Sequence, residues 1–484
     1  MQGDLLLVFF LACTGIGGLL SLLGFRTKRV QPWIATCVLA SLGLIIAILG
    51  QLAWAFITDN FSLAYVAGHS SADLPQPYKL SALWSAKPGT LLLWLFFLGI
   101  VTGYGELRLF PGLGWCGDVA RGIMLAQMGF FGLILRWITP LFARLDPVPT
   151  VGPGLSQPLQ SPFNFLHPPT LYLSYACLAL VFALTLGHWL TTSRGSANAA
   201  FAISVLLRNW LLVAWLGLST SILLGAVWAY REFAGVYWRW DPLENIALSL
   251  WLLTGIAVHS LIQSAERGSL SRGCAIALCL PQLFTFFASY LARSGWLVTG
   301  EGKIRDPAAG CFLLLTLIGA AVVILALMKG QLRPNLVNRF APSQALLPTA
   351  ILLMGCTFVL LLAGTVLYPL ASGLGRFVLI PPAAVFRLAL TPLGAGCVVT
   401  LVSALLSRKL SGVGRIHLSA LLLLTGWGTS LVSVPAMVPG TDSALPGKAI
   451  APSVVLMALG AVLLIASLVG RILTKKPSEV RDSQ

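Results

Sequence analysis

Long runs of apolar residues, separated by short polar segments, dominate the chain. A membrane-spanning helix needs about 20 consecutive apolar residues to cross roughly 30 Å of hydrocarbon, and windows of that length recur throughout the sequence. We therefore predict 13 spans, at 4–24, 34–57, 90–105, 120–142, 169–190, 209–229, 245–263, 274–292, 309–328, 345–368, 380–406, 416–435 and 451–470. The predicted fold class is an all-α polytopic integral membrane protein.

Composition supports this prediction. Of the 484 residues, 57% are hydrophobic and only 10% are charged, and soluble domains have a lower apolar fraction. The first apolar run follows Asp4 and has no basic segment before it, which predicts a retained span and not a cleaved signal peptide. The nine cysteines form no C-x-x-C pair and lie mostly within spans, so neither a redox pair nor a zinc site is indicated.

The basic residues predict the orientation of the chain. With the N-terminus outside and the C-terminus inside, 19 of the 31 Lys and Arg residues, among them Arg121, fall at the inner surface or in the inner tail. The net charge of +16 therefore requires no nucleic-acid partner. Five basic residues crowd two outer loops against this bias: Arg231, Arg239, Arg293, Lys303 and Arg305. An anionic ligand on the outer face explains them, and so does anchoring to lipid headgroups.

Segment 231–253, REFAGVYWRWDPLENIALSLWLL, places charged and aromatic residues directly before an apolar helix. Asp241 is typical of an N-cap, Pro242 of the first helical position, and Glu244 of a residue that reaches back to the cap. The seventh predicted span therefore begins here, at the outer surface of the membrane.

Three aromatic residues lie just outside that helix: Tyr237, Trp238 and Trp240. An aromatic belt at the membrane interface explains them without any ligand. A flat aromatic surface beside Arg239 also suits a planar apolar ligand with carboxylate edges, since rings stack on the plane and guanidinium groups pair with carboxylates. Haem has that shape, and both interpretations stay open from the local sequence.

A haem iron needs axial ligands, and histidine is the usual one. The chain has five histidines: His69, His167, His188, His259 and His417. His167, in FLHPPTLYLSY, is predicted to lie on the outer face immediately before the fifth span, with Pro168 and Pro169 at the start of that helix. His69 is predicted to be a solvated loop residue.

Two histidines are predicted at one depth near the inner side. His259 follows Asp241 by 18 residues, which is about 27 Å along a helix, and His417 lies at the inward start of the twelfth span. Ionisable groups within a membrane are functional candidates, and this pair can hold one iron from opposite sides. His188, near the inner end of its span, is a competing ligand that we rank lower.

Six ordered blocks of the chain resemble the CcmF/NrfE-type cytochrome c haem lyases, a family of haem-handling proteins named for a tryptophan-rich "WWD" segment. The blocks are FSLAYVAGHSSADLPQPYKLSALWSAKPGTLLLW, GPGLSQPLQSPFNFLHPPTLYLSY, VYWRWDPLENIALSLWLLTGIAVHS, RSGWLVTGEGKIRDPAAG, VLLLAGTVLYPL and RIHLSALLLLTG. A lone W-x-W-D is weak evidence, but six blocks in the family's order are specific.

The resemblance implies a role in cytochrome c maturation, in which haem is received and joined through thioethers to the C-x-x-C-H cysteines of apocytochrome c. It implies an outer substrate haem held by His167 and an intramembrane haem b held by His259 and His417. The implied residues of the outer platform are Tyr237, Trp238, Trp240 and Asp241, with Arg239 and Arg293 facing the propionates. It further implies a CcmE-like haem chaperone, CcmH/CcmI-like subunits and apocytochrome c as partners, and a location in the cytoplasmic membrane with the active site facing the periplasm.

The resemblance also predicts a three-part organisation. Residues 1–137 would form four helices with outer loop 59–89. Residues 138–308 would form the haem-handling core, which contains the WWD segment 228–245 and loop 293–308. Residues 309–484 would form the remaining helices.

The chain departs from the family pattern at three places. Glu301 stands where the family has a second outer histidine, and a carboxylate is a poorer ligand for ferrous iron than imidazole. The outer iron would then be held by His167 alone, by an unidentified residue or by a partner's histidine. The segment WSAKPGT lacks the usual acidic and histidine residues, and only VPAMVPGTDSALPGKAIAP stands where longer members carry a large periplasmic domain.

Two other functions compete with haem ligation. A WWD protein of the CcmC kind delivers haem without forming thioethers, but such proteins are shorter, and DPLEN fits the CcmF branch better. A transporter for another substrate would show inverted repeats or paired broken spans, and no convincing internal repeat is visible.

Overall fold

The computed structural model describes residues 2–23, 29–191, 197–232, 238, 241–266, 270–299, 302–329 and 346–373. The helices are α1 Gln2–Leu22, α2 Gln31–Ile57, α3 Ala64–His69, α4 Gln76–Ser81, α5 Lys87–Arg108, α6 Trp115–Leu133, α7 Phe163–Thr191, α8 Ala197–Glu232, α9 Pro242–Glu266, α10 Arg272–Arg293, α11 Ala309–Lys329 and α12 Leu346–Gly373. A π-helical turn, Ile134–Ile138, extends α6.

The chain divides into two compact units, Met1–Asn335 and Leu336–Gln484. The first contains α1 to α11, and the described part of the second is α12. The three-part division at residues 137 and 308 stays a prediction.

Nine helices in the described ranges are long and apolar enough to cross a membrane, so the chain is a multi-pass membrane protein built on α-helices. They are α1, α2 and α5 to α11, and they match the first nine predicted spans one for one. The tenth predicted span coincides with α12. The last three predicted spans lie outside the described residues, and the total of 13 and the orientation stay predictions.

The fraction of buried residues separates the central helices from the peripheral ones. In α5, α6, α7, α9 and α10, between 67% and 72% of the most apolar window is buried, against 22% to 33% in α1, α2, α8 and α11. The Trp94 indole of α5 packs among the central helices. Its ring centroid is 4.7 Å from that of Phe131 and 6.1 Å from those of Phe286 and Phe312. The peripheral helices thus present apolar faces suited to lipid.

Arg121 was predicted to belong to an inner loop, and the structure corrects this, since the residue lies within α6 and is fully buried. Its depth in the membrane stays a prediction. Its Nη1 donates to both carboxylate oxygens of Glu106 at 3.1 and 3.0 Å, and its Nη2 pairs with Asp118. Ser21 and Gln31 accept two further hydrogen bonds. Because these partners accept hydrogen bonds from all three guanidinium nitrogens, the buried charge is compensated without contact with water.

The predicted outer loop 59–89 contains two short helices, α3 and α4. The Nζ of Lys79, only 3% exposed, pairs with the carboxylate of Asp59 at 2.6 Å. His69 is not a solvated loop residue: it ends α3 half-buried, its Nδ1 lies 2.8 Å from the carbonyl oxygen of Tyr65, and its ring packs against that of Tyr65. The local helix supplies the partners that the sequence pattern did not reveal.

Loop 293–308 contains an antiparallel hairpin of β1 Ser294–Thr299 and β2 Gly302–Arg305. The all-α prediction therefore holds for the spans but not for this loop. A two-stranded hairpin is marginal by itself, and here its base is closed by an ion pair between Arg293 Nε and Asp306 Oδ2 at 3.2 Å.

Candidate functional site

Helix α7 begins at Phe163, four residues before His167, so the predicted helix start at the two prolines is wrong. Proline lacks the N–H that would bond to the carbonyl four residues earlier, which normally breaks a helix. Here the carbonyl of Asn164, which Pro168 leaves free, accepts a hydrogen bond from Trp84 Nε1 at 2.8 Å. This contact compensates for the hydrogen bond lost at Pro168, and the helix start at Phe163 puts His167 in the second turn of α7.

A main-chain group of α8 holds the His167 imidazole. Nδ1 lies 2.8 Å from the carbonyl oxygen of Ser221, and since a carbonyl only accepts, Nδ1 carries the proton. The Nε2 lone pair then has no hydrogen-bond partner among the residues that the structure describes. Metal-binding histidines usually donate their other N–H to a carbonyl or carboxylate in this way, so the half-buried ring has the tautomer that a metal ligand needs.

The close approach of α7 and α8 depends on small residues. A Cβ added at Gly225 would lie 2.9 Å from Cε1 of His167, and one at Gly217 would lie 2.2 Å from Oγ of Ser174. Gly217, Ser221 and Gly225 recur at every fourth residue, on one face of α8. That spacing is the sequence signal that would have identified this contact.

The C-terminal end of α8 contacts both the segment before α7 and the first turns of α7. Trp228 Nε1 donates to the carbonyl of Pro158 at 2.9 Å, and the Trp228 ring centroid is 5.7 Å from that of His167. The Arg231 guanidinium lies 5.8 Å from the centre of the Phe163 ring. Trp228 therefore flanks the His167 ring, and the Arg231 cation lies over the Phe163 ring, four residues before His167.

The helix start predicted at Asp241 is confirmed. Asp241 Oδ1 accepts from the N–H of Leu243 at 2.9 Å, and Glu244 Oε2 accepts from the N–H of Asp241 at 3.3 Å. Trp238 is half-buried. The other platform residues, Tyr237, Arg239 and Trp240, and also Glu301, lie outside the described residues, so the arrangement of the platform stays a prediction.

Arg293 is engaged within the protein. It is 8% exposed, pairs with Asp306 at 3.2 Å, and lies with its guanidinium carbon 4.8 Å from the centre of the Phe312 ring. Its Nη2 also donates to Oγ1 of Thr90 at 3.4 Å. A ligand carboxylate would have to compete with Asp306 for this charge, a constraint that the sequence did not indicate.

His259 on α9 is the other described candidate ligand. It is 4% exposed, and neither ring nitrogen has a hydrogen-bond partner in the described part of the chain. Its ring contacts that of Trp215 of α8, at 6.1 Å between centroids. A buried polar group without a partner costs about 1–3 kcal/mol, so this imidazole suits a ligand that binds its nitrogen. His417 lies outside the described residues.

Two further observations bear on the type of ligand. His188 is half-buried near the end of α7 and interacts with other groups. Within the described ranges, no three His, Cys, Asp or Glu side chains are grouped as a metal ion held by protein alone would require. A haem iron needs only one or two imidazoles, because its porphyrin supplies four nitrogens. The isolated His167 and His259 fit that requirement.

Fold and site together define a multi-pass helical membrane protein. One imidazole, His167, lies near the start of α7, and another, His259, lies near the end of α9. The family model described as "Cytochrome C assembly protein" matches residues 84–297. The cytochrome c-type biogenesis protein CcmF of Pseudomonas aeruginosa is 34% identical over 332 residues, which are 66% of this chain and 49% of that protein. The probable NrfE of Escherichia coli is 31% identical over 418 residues, 83% of this chain and 72% of that protein.

The chain belongs to the CcmF/NrfE family of cytochrome c-type biogenesis proteins. It spans about half the length of the first relatives that it matches. A solved structure named "Cytochrome c Heme Lyase CcmF" has the same fold, with a TM-score of 0.69 at 22% identity, covering 98% of this chain and 72% of that one.

Proposed function

We propose that the chain is the haem-ligating component of a cytochrome c maturation system, acting in the attachment of haem to apocytochrome c. The observation that carries this proposal is the buried His259 imidazole, whose two nitrogens have no hydrogen-bond partner among the described residues. Membership of the CcmF/NrfE family supplies the ligand that such an imidazole would bind, which is a haem.

At the outer end of the bundle, His167 would hold the iron of the substrate haem through Nε2. The contact between Nδ1 and the carbonyl of Ser221 keeps the proton on Nδ1, which leaves the Nε2 lone pair free to bind iron. Trp238 and Trp240, with Tyr237 and Asp241, would support the haem plane, and Arg239 would face its propionates. Arg293 would help to position the haem indirectly, because its ion pair with Asp306 closes the base of the adjacent hairpin.

The substrate haem brings two vinyl groups to which the cysteine thiols of a C-x-x-C-H segment add, so no protein nucleophile is required. The work of the chain is positioning: it holds the haem plane in one orientation and leaves the vinyl edge open to the incoming segment. A rigid imidazole, packed between Gly225 and Trp228, meets that requirement.

Deeper in the bundle, His259 would hold a resident haem b. When bound, this haem would supply one-electron chemistry. The second ligand that the family resemblance implies, His417, lies outside the described residues. The protein contributes a dry site, since His259 is 4% exposed and lies 18 residues into α9.

The partners and location follow from the same proposal. Haem would arrive from a CcmE-like chaperone, and apocytochrome c would be presented by CcmH/CcmI-like subunits. The chain would lie in the bacterial cytoplasmic membrane, with His167 facing the periplasm. Glu301, a histidine from a partner or an unidentified residue would complete the coordination of the outer iron, or His167 would act alone.

The test is a reduced absorption spectrum of the purified full chain. We expect a haem b band in the wild type and its loss in His259→Ala and His417→Ala, whereas His188→Ala, the same substitution in helix α7, should retain it. A wild type without the band, or an undiminished band in both His259→Ala and His417→Ala, would contradict the proposal. Complementation of a strain lacking CcmF, but not of one lacking CcmC, separates ligation from haem delivery.

A further inference from the structure

Trp215 of α8 places a second unpaired polar group beside His259. The indole is 2% exposed, and its ring meets the imidazole edge-to-face at 6.1 Å and 76°. Its Nε1 is buried without an acceptor in the part of the chain that the structure describes. Buried indole N–H groups normally find a partner, so this donor points to an acceptor that the described chain does not contain.

Trp251 of α9 is an internal comparison for Trp215, since it is a neighbouring indole whose donor is paired. The rings of Trp251 and Trp215 lie 5.3 Å apart at 33°, so the two residues share one environment. Trp251 Nε1, however, donates to Oγ of Ser219 at 2.8 Å. Of these two neighbouring indoles, the one in contact with His259 is the one without an acceptor.

The chemistry of the ligand identifies the acceptor. An indole N–H donates only, and the edge of a porphyrin is apolar apart from its two propionate carboxylates. We propose that Trp215 is a positioning residue for the haem held by His259, its indole N–H donating a hydrogen bond to a propionate carboxylate. This inference rests on the proposed function, because it requires a haem at His259.

The experiment compares Trp215→Phe with Trp251→Phe in the full chain purified with its haem. Phenylalanine keeps an aromatic ring and removes the donor. Loss of a hydrogen bond to a charged group should speed haem transfer to excess apomyoglobin about tenfold in Trp215→Phe. The midpoint potential should fall, because a less neutralised carboxylate favours ferric iron. Trp251→Phe should stay within about twofold of wild type in transfer rate and should keep its potential.

A second variant separates the effect of losing the N–H donor from the effect of changing the packing around the ring. Trp215→His keeps a ring N–H in a smaller ring and should recover part of the lost haem retention. Equal loss in Trp215→Phe and Trp215→His, or an unchanged potential in Trp215→Phe, would overturn the inference. If Trp215→Phe is not recovered from the membrane, Trp215→Met replaces it in the same comparison. A wild type that carries no haem b would instead refute the proposed function, so the two failures are distinguishable.

Discussion

Replacing Gly225 with alanine should impair haem attachment far more than it impairs stability. The added Cβ would lie 2.9 Å from Cε1 and 3.1 Å from Nδ1 of His167. Carbon atoms pack at about 3.5–4.0 Å, so the imidazole would have to retreat by about 0.6 Å or more. A shift of that size away from α8 would lengthen the 2.8 Å contact with the Ser221 carbonyl to about 3.4 Å, which releases both the orientation and the tautomer of the ring.

Two opposing terms govern the stability of this variant. Overpacking costs about 1–3 kcal/mol, while alanine is favoured over glycine in a helix by about 1 kcal/mol. The net change should therefore be a loss of no more than about 2 kcal/mol. Misplacement of a catalytic group by about 1 Å can cost on the order of 100-fold in rate, so we expect the yield of holocytochrome c to fall at least about tenfold.

The assay measures covalent haem on cytochrome c after denaturing electrophoresis, in cells that lack their own CcmF and are supplied with this chain. Thermal unfolding of the purified variant reports its stability. Gly43→Ala is the matched control, because a Cβ at that helical glycine meets nothing within 4 Å. If Gly225→Ala gives the same yield of holocytochrome c as Gly43→Ala, then α8 does not hold His167 in the way we describe.

Three other changes test the packing. Arg121→Met should cost about 3–5 kcal/mol of stability, because it leaves two buried carboxylates without their cation; thermal unfolding measures this, and a loss below about 1 kcal/mol would contradict it. Trp84→Phe should cost about 1–3 kcal/mol by leaving the Asn164 carbonyl unpaired, with faster amide exchange confined to the start of α7; uniform or unchanged exchange would count against that role. Asp241→Ala should cost about 0.5–2 kcal/mol through loss of the α9 cap, and Asp241→Asn should retain most of that stability in the same unfolding measurement.

The features that the sequence predicted correctly are local ones. Nine spans follow from apolar windows of sufficient length, since the cost of an unpaired backbone in lipid leaves helix as the only choice for such segments. The cap at Asp241 depends on groups within three residues. His259 was singled out for a local reason too, since an ionisable residue within a membrane span is exceptional, and its role as a ligand stays a prediction.

The features that the sequence did not reveal depend on partners distant along the chain. The helix start at Phe163 relies on an indole 80 residues before Asn164, and the tautomer of His167 relies on a carbonyl 54 residues away. Arg121 is buried because Glu106, Ser21 and Gln31 converge on it from three other helices. Hydropathy determined which segments enter the membrane, whereas the pairing of their few polar groups was decided only when the helices packed, since an unpaired group in that environment costs more than any local preference supplies.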